Sequence, residues 1–346
     1  MNSRKLLVAL FIASFAVLSA LPPVFAGDPA RTGTAGGVQL LVPVGARDLA
    51  MGGANLATTS NLGAIYWNPA GLSSMSNKAA GQFSTMEIFN DIRVNYAAVA
   101  VQAGRLGHIG VSLKAFDFGD IPETTLDDPD GVSGRTFSPT FATLGLTYSR
   151  KLTDVIQVGF NAKTVVEEVP RASASAVAFD LGIQYHQLGG INGLSIGLAV
   201  KNIGSDLQYE GSAFLRDSPI AGTNRDEFQA PQIQSDQLPA SIEMGVGYSY
   251  QVNESNSFIA SGNFQSNNFG NDAFKFGGEY NYGDFFALRA GYLSYDGIDT
   301  DDLLYRYTFG AGLNFDVSGT ALVLDYAFRD SQYFDSNHLF SLTVGF

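Results

Sequence analysis

From about residue 79 to its end, the chain alternates apolar and polar residues with a period of two. That period places successive side chains on opposite faces of an extended strand, so the pattern is a β pattern, not a helical one. In 305–315, Tyr305, Tyr307, Phe309, Ala311, Leu313 and Phe315 share one face. Arg306, Thr308, Gly310, Gly312 and Asn314 share the other. The same division recurs in 176–187, 239–251, 273–282 and 320–329, where Val177, Ile242, Phe274 and Leu322 open the apolar faces. Fourteen runs of this kind can be marked: 79–87, 92–103, 108–119, 138–150, 155–169, 176–187, 194–203, 239–251, 257–265, 273–282, 285–295, 305–315, 320–329 and 337–346. Most are about the length that a tilted strand needs to cross a bilayer.

The polar faces separate a membrane barrel from a soluble sandwich. A sandwich meets water with many Lys and Glu, yet here the polar face is mostly Gly, Ser, Thr and Asn. Charged residues are only 15% of the chain, against the usual quarter. Mean hydropathy is still only +0.07, because apolar residues alternate with polar ones. No later segment has eighteen consecutive apolar residues, which argues against membrane-spanning helices. The expected fold is therefore an all-β, transmembrane antiparallel β-barrel of about fourteen strands over 79–346, with a small N-terminal plug over 27–78. Small polar residues on the inner face leave room for that plug, and a closed sheet has no unpaired edge. Short links (104–107, 151–154, 188–193, 252–256, 283–284, 316–319) alternate with longer ones, notably 120–137 and 204–238. In outer-membrane barrels the short turns are periplasmic and the long loops extracellular. An even strand number then predicts periplasmic termini. Tyr148, Tyr250, Tyr280, Tyr282 and Tyr305, at run ends, suit an interfacial girdle.

Residues 1–26 read as a signal peptide. Arg4 and Lys5 precede an apolar run over 6–21, and Val24-Phe25-Ala26 fits a small-x-small cleavage site. Removing that leader takes the net charge from −13 to −15, which argues against nucleic acid as a partner. The absence of Cys rules out disulfides and thiolate metal sites. The implied location is the outer membrane of a Gram-negative-type bacterium, with its lipid as surroundings.

Between leader and barrel lies GARDLAMGGANLATTSNLGAIYWNPAGL, residues 45–72, too rich in Gly, Asn, Ser and Thr for a membrane helix. Gly52-Gly53 predicts a tight turn. Asn68-Pro69 predicts a helix start, with Asn as cap and Pro in the first turn, and Gly71 or a residue soon after as its stop. Inward charges expected in the lumen are Lys114, Lys163, Asp180, Glu243, Lys275, Glu279, Arg289, Arg306, Asp325 and Arg329. Buried charges are normally paired, with each other or with the plug, for example with Arg47 and Asp48. The outer links are acidic; Asp127–Gly131 (DDPDG) could hold a divalent cation but lacks EF-hand spacing, and reads better as a solvated loop. His108, His186 and His338 are dispersed and form no HExxH pattern, and no GxSxG occurs. Nothing in the sequence indicates an enzyme, a cofactor or a metal.

The 45–72 stretch resembles the N-terminal hatch of the FadL-like outer-membrane barrels, and most closely that of the PorV/PorQ branch. The resemblance rests on Gly45-Ala46-Arg47, on Met51-Gly52-Gly53-Ala54 and on Tyr66-Trp67-Asn68-Pro69-Ala70-Gly71-Leu72. It covers about thirty residues; elsewhere it is architectural, down to the terminal Phe346. It implies a hatch that seals or gates the barrel and a role of PorV type, binding and shuttling secreted cargo for a type IX translocon and surface attachment. The alternative implied role is a FadL-like channel taking up long-chain fatty acids or other hydrophobic molecules. Small, polar inward faces favour the first. The candidate partner surface is then the 204–238 loop, with Phe214, Leu215, Ile220 and Phe228 as apolar anchors.

Overall fold

A computed structural model describes residues 27–89, 92–219, 226–229, 231, 233–283 and 285–346. The expected leader lies outside them, as does Ile220. The fourteen barrel strands are β1 (Ala79–Ile88), β2 (Ile92–Gln102), β3 (His108–Asp117), β4 (Thr140–Lys151), β5 (Ile156–Val169), β6 (Ala172–His186), β7 (Leu194–Gly204), β8 (Ser241–Asn253), β9 (Asn256–Asn267), β10 (Ala273–Tyr282), β11 (Phe286–Tyr295), β12 (Tyr307–Val317), β13 (Thr320–Arg329) and β14 (Asn337–Gly345). Each pairs antiparallel with its neighbour in sequence. β14 returns to β1, with Leu342 opposite Phe83, and closes the sheet. The barrel of about fourteen strands expected from the sequence is the observed fold.

Closure follows from the two faces. Outward positions such as Val99, Leu144, Leu181, Ile242, Phe309 and Phe340 are each more than half exposed, while the inward Thr147, Gln184 and Thr308 are fully buried. So large a band of exposed aliphatic and aromatic side chains belongs in lipid. Tyr148, Tyr250, Tyr280 and Tyr282 are exposed near strand ends, as a girdle requires. Tyr305 is not one of them. β12 begins at Tyr307, so 305–306 do not continue its alternation. Tyr305 turns inward beneath Arg329, whose guanidinium lies 3.6 Å from the ring centroid.

The two ends of the barrel differ. One carries short turns and the junction of Lys78 with Phe346, where the Lys78 N–H donates to the Phe346 carbonyl (2.8 Å). The other carries the long links. There Ile121–Pro122 pairs with Thr136–Phe137, Gln208–Glu210 adds to β6, and Arg216–Pro219 pairs with Asp226–Gln229.

Residues 27–78 pack against the inward faces of the strands. Leu62, Ile65, Leu72 and Met75 form one core cluster with Ala80 on β1 and Tyr96, Ala98 and Ala100 on β2. Leu49 and Ala50 form another with Met86, Val94, Ala327 and Leu339. Leu40 packs in a third with Val165, Ala176, Leu207 and Leu238. The segment starts at the long-link end, where Arg31 donates to Asn268 (3.2 Å) and Gln237 (2.7 Å) and stacks on Phe269. It finishes at the short-turn end, where Ser74 meets Gln157. The expectation that both termini share one side therefore holds for β1 and β14 only. Gly27, the first described residue, lies at the opposite end, because the segment traverses the lumen lengthwise.

Candidate functional site

The 45–72 motif is where segment and wall are joined. Gly45 adopts φ +82° and starts a short helix, Ala46–Ala50, which presents Arg47 to the wall. Gly52 and Gly53, at φ +67° and +70°, make the turn that follows. Such a left-handed pair is strained for any residue with a Cβ. A Cβ on Gly53 would also overlap the Trp67 ring. The Trp67 indole N–H donates to the Val44 carbonyl (2.9 Å), which fixes the ring over that turn.

Asn68 caps the next turn as expected, its side-chain oxygen accepting from the Ala70 N–H (3.2 Å), with Pro69 following. The turn is a 3-10 helix, Pro69–Ser74, and Gly71 lies inside it rather than ending it. Gly71 is small for another reason: a Cβ there would strike the Thr59 carbonyl. The Asn68 amide donates to the Leu56 carbonyl (2.9 Å) and to Ile183 on β6 (3.2 Å). Opposite, Gly159 on β5 and Gly182 on β6 leave the space that Asn68-Pro69-Ala70 fills. The inward glycines thus match the segment's path.

The charges fall into two groups. In the first, Glu279 accepts both arms of Arg47 (2.9 and 3.1 Å) and also Arg289 (2.6 Å), which in turn binds Asp325 (2.6 Å). Arg47 also lies 3.7 Å from Asp48. The expected pairing between barrel charges and Arg47 is present in this chain of ion pairs. In the second group Lys163 binds Asp180 (2.6 Å), and Glu243 lies 3.4 Å from Lys201 and 4.0 Å from Lys275. Arg329 donates to Asn337 (2.7 and 3.1 Å). Arg306 is not a lumen charge; it reaches the rim and pairs with exposed Asp301 (3.6 Å).

Lys201 and Asn202 are missing from the expected inward set. Both are buried because the β6–β7 register shifts between Phe179 and Leu181, turning two successive residues inward. Asn202 sits at φ +60°; its N–H donates to Asp180 (2.8 Å) and its side-chain oxygen accepts from Lys163. The signal was a break in alternation: two adjacent polar residues, Lys201-Asn202, before the outward Ile203.

Between segment and wall, near the long-link end, lies a cavity of about 340 Å³. Leu40, Leu41, Pro43, Leu49, Tyr66 and Trp67 line it from the segment; Leu293, Tyr295, Tyr305, Lys201, Lys275 and Arg329 line it from the barrel. The Lys201 ammonium is 4.5 Å from the Tyr66 ring centroid and 5.6 Å from that of Trp67. An apolar lining with a few placed polar groups is the ordinary make-up of a small-molecule site.

In the partner-loop candidate, Phe214 is half-buried in the turn Ser212–Phe214, while Leu215 and Phe228 are exposed. In the DDPDG stretch, Asp128 accepts from the Val132 and Ser133 N–H groups (2.8 Å each), and the bonds from Ser133 lead in holding its carboxyl below the usual carboxylate range. His186 contacts Ser195 (3.0 Å) and His338 contacts Tyr326 (2.8 Å), each away from the other.

No protein-family model and no curated protein matches the sequence. Solved structures do match. The CymD monoaromatic hydrocarbon channel superposes with a TM-score of 0.53 at 14% identity, covering 88% of this chain and 98% of that one. The Pseudomonas putida toluene transporter TodX gives 0.53 at 14%, over 87% and 97%. The Ralstonia pickettii toluene transporter TbuX gives 0.50 at 13%, over 87% and 97%. The chain shares the barrel fold of these channels. These neighbours are transport channels rather than enzymes. At such identities the likeness is one of fold.

Proposed function

We propose that this protein is an outer-membrane channel for hydrophobic small molecules, with residues 27–78 as a plug and the cavity beside Trp67 as the site a permeant first occupies. The observation that carries this reading is the cavity itself, walled on one side by the segment that would have to move. The small, polar inward faces of the strands favour the secretion role, but much of the cavity's apolar lining comes from the segment and not from the strands. The similarity to channels for toluene and other monoaromatic hydrocarbons supports the same class of permeant. In this reading the long links face outward, and the short turns and Phe346 face the periplasm.

The test is to purify the protein from its native outer membrane in mild detergent and identify what accompanies it, proteins and lipids alike, by mass spectrometry. A stoichiometric hydrophobic molecule, bound more weakly when Trp67 or Leu49 is replaced by Asp, is the expected result. A large translocon subunit, or secreted proteins sharing a C-terminal domain, would overturn it.

A second reading, a PorV-like part in type IX secretion, has its own support. It rests on the GARDLAMGGA and YWNPAGL motifs, and on the exposed Leu215 and Phe228 in the long loop. There the plug stays shut and the loop holds cargo. Deleting 205–237 should then abolish cargo binding and leave the barrel folded; unchanged cargo binding sinks this reading.

A further inference from the structure

Tyr66, Lys201 and Asn202 line both the cavity described above and a second, smaller void of about 30 Å³ toward β3–β6. A void of that size admits one or two water-sized particles. Its walls carry an excess of donors. Three ammonium groups line it: Lys114 on β3, Lys163 on β5 and Lys201 on β7. Lys163 has Asp180 at 2.6 Å and Lys201 has Glu243 at 3.4 Å. Lys114 has no carboxylate within 4 Å among the described residues. Its Nζ donates to the Val42 carbonyl (2.9 Å) and lies 4.9 Å from the Tyr66 ring centroid, and its side chain is buried. An ammonium has three donors, so one carbonyl and one ring face leave it short of a charged acceptor. Directly opposite in register stands Thr143, buried, with a hydroxyl that meets no partner.

A buried cation without a carboxylate partner, beside two further ammonium groups, is a costly arrangement. Asp180 is the one carboxylate in the void's walls, and it is already engaged by Lys163 and the Asn202 N–H, so three ammonium groups face a single negative charge. The void is too small for a carboxylate or phosphate ester with any substituent attached. We propose that it is a binding site for a small monovalent anion of halide type, held by the Lys114 ammonium and the Thr143 hydroxyl. The bound anion balances Lys114, which itself grips Val42 of the N-terminal segment. It therefore ties that segment to β3 and β4.

The test compares the detergent-solubilised protein in sodium chloride and in sodium gluconate at one ionic strength. Gluconate is too large for the void. The thermal midpoint should rise with chloride and then saturate, as for any ligand that binds the folded state alone. Lys114→Met should abolish the dependence and match or exceed the gluconate midpoint of the parent. Thr143→Val should weaken it, and it decides the matter alone if Lys114→Met does not fold. Crystals grown with bromide in place of chloride should show an anomalous peak between these two side chains. Equal midpoints in chloride and gluconate would mean that the void holds water and the proposal is wrong. So would a chloride effect that survives both substitutions, or bromide found only at Lys275 and Arg329 in the larger cavity.

Discussion

Replacing Glu279 by Gln tests how the N-terminal segment is fastened. Glu279 accepts two bonds from Arg47 and one from Arg289, and its side chain is 4% exposed. The amide keeps the shape and removes the charge. Arg289 retains Asp325 at 2.6 Å, whereas Arg47 is left with Asp48 at 3.7 Å. Breaking a buried pair from one side costs about 3–5 kcal/mol. Arg47 is 24% exposed, so water recovers part of that, and about 2–4 kcal/mol is the better figure. At 1.4 kcal/mol per tenfold, opening of the 46–54 turn should become about 30- to 700-fold more frequent. The amides to follow by hydrogen exchange are those of Leu49, Gly52, Gly53 and Ala54, bonded to Gly45, Leu49, Asp48 and Met51. Their exchange should quicken while β1–β14 keep their protection. Arg47→Met combined with Glu279→Gln should restore most of the loss, because no unpaired guanidinium then remains at position 47. Unchanged exchange in Glu279→Gln, or equal loss throughout the barrel, would refute the idea that this ion pair fastens the segment locally.

Three further outcomes follow from the same geometry. Gly182→Val places side-chain atoms where Asn68 and Pro69 now sit; overpacking of about 1–3 kcal/mol should speed amide exchange around 68–72 without altering strand content by circular dichroism. Leu181→Arg, more than half exposed near the middle of β6, should destabilise folding into lipid vesicles by about 2–4 kcal/mol, measured by urea titration, and have far less effect if that face meets water instead. Deletion of 205–237 should leave heat-modifiable migration of the barrel on gels unchanged, since the β7–β8 ladder starts at Lys201 and Ser241, outside the deleted stretch.

The strands were legible because a barrel imposes its own code: each residue faces lipid or lumen, and a one-residue slip exchanges the two. The same rule explains what was missed. At Lys201-Asn202 the β6–β7 register shifts, both residues turn inward, and a cation drops out of any list built on strict alternation. At 305–306 the strand has not yet begun, so alternation put Tyr305 in the girdle and Arg306 in the lumen, and the structure reverses both. Partners across the lumen, such as Arg47 with Glu279, are 232 residues apart, and local pattern carries no distance of that kind. Their charge sign and inward phase were readable; which cation met which carboxylate was not. Nor was the direction of the segment readable, because turn residues give local geometry and not the end at which a path begins.

How the segment is held determines which part of it is easiest to free. The Ala46–Ala50 helix and residues 62–75 are seated by apolar contact with β1, β2, β13 and β14. Losing those contacts costs transfer free energy whatever fills the space. Residues 51–59 combine both kinds of contact: Met51, Leu56 and Ala57 are fully buried, and polar side chains of the wall bind the backbone. Asn263 donates to the Gly53 carbonyl (2.9 Å), and Gln184 donates to those of Leu56 and Thr59 (3.0 Å each). In a lumen that fills with water, such bonds are exchanged for bonds to water, at a net cost of about 1 kcal/mol each. Trp67 stands over this turn and also walls the cavity, so a molecule that pushes the indole aside removes the support of Gly53 at the same step. A ligand shifts the segment only by its preference for the displaced arrangement, and turning 1:99 into 99:1 takes about 5.5 kcal/mol. That exceeds the 2–4 kcal/mol assigned to Glu279 by the same accounting of buried pairs. By this accounting loss of the ion pair should loosen the turn without opening the barrel, and under the proposed channel reading a permeant would have to displace Trp67 as well.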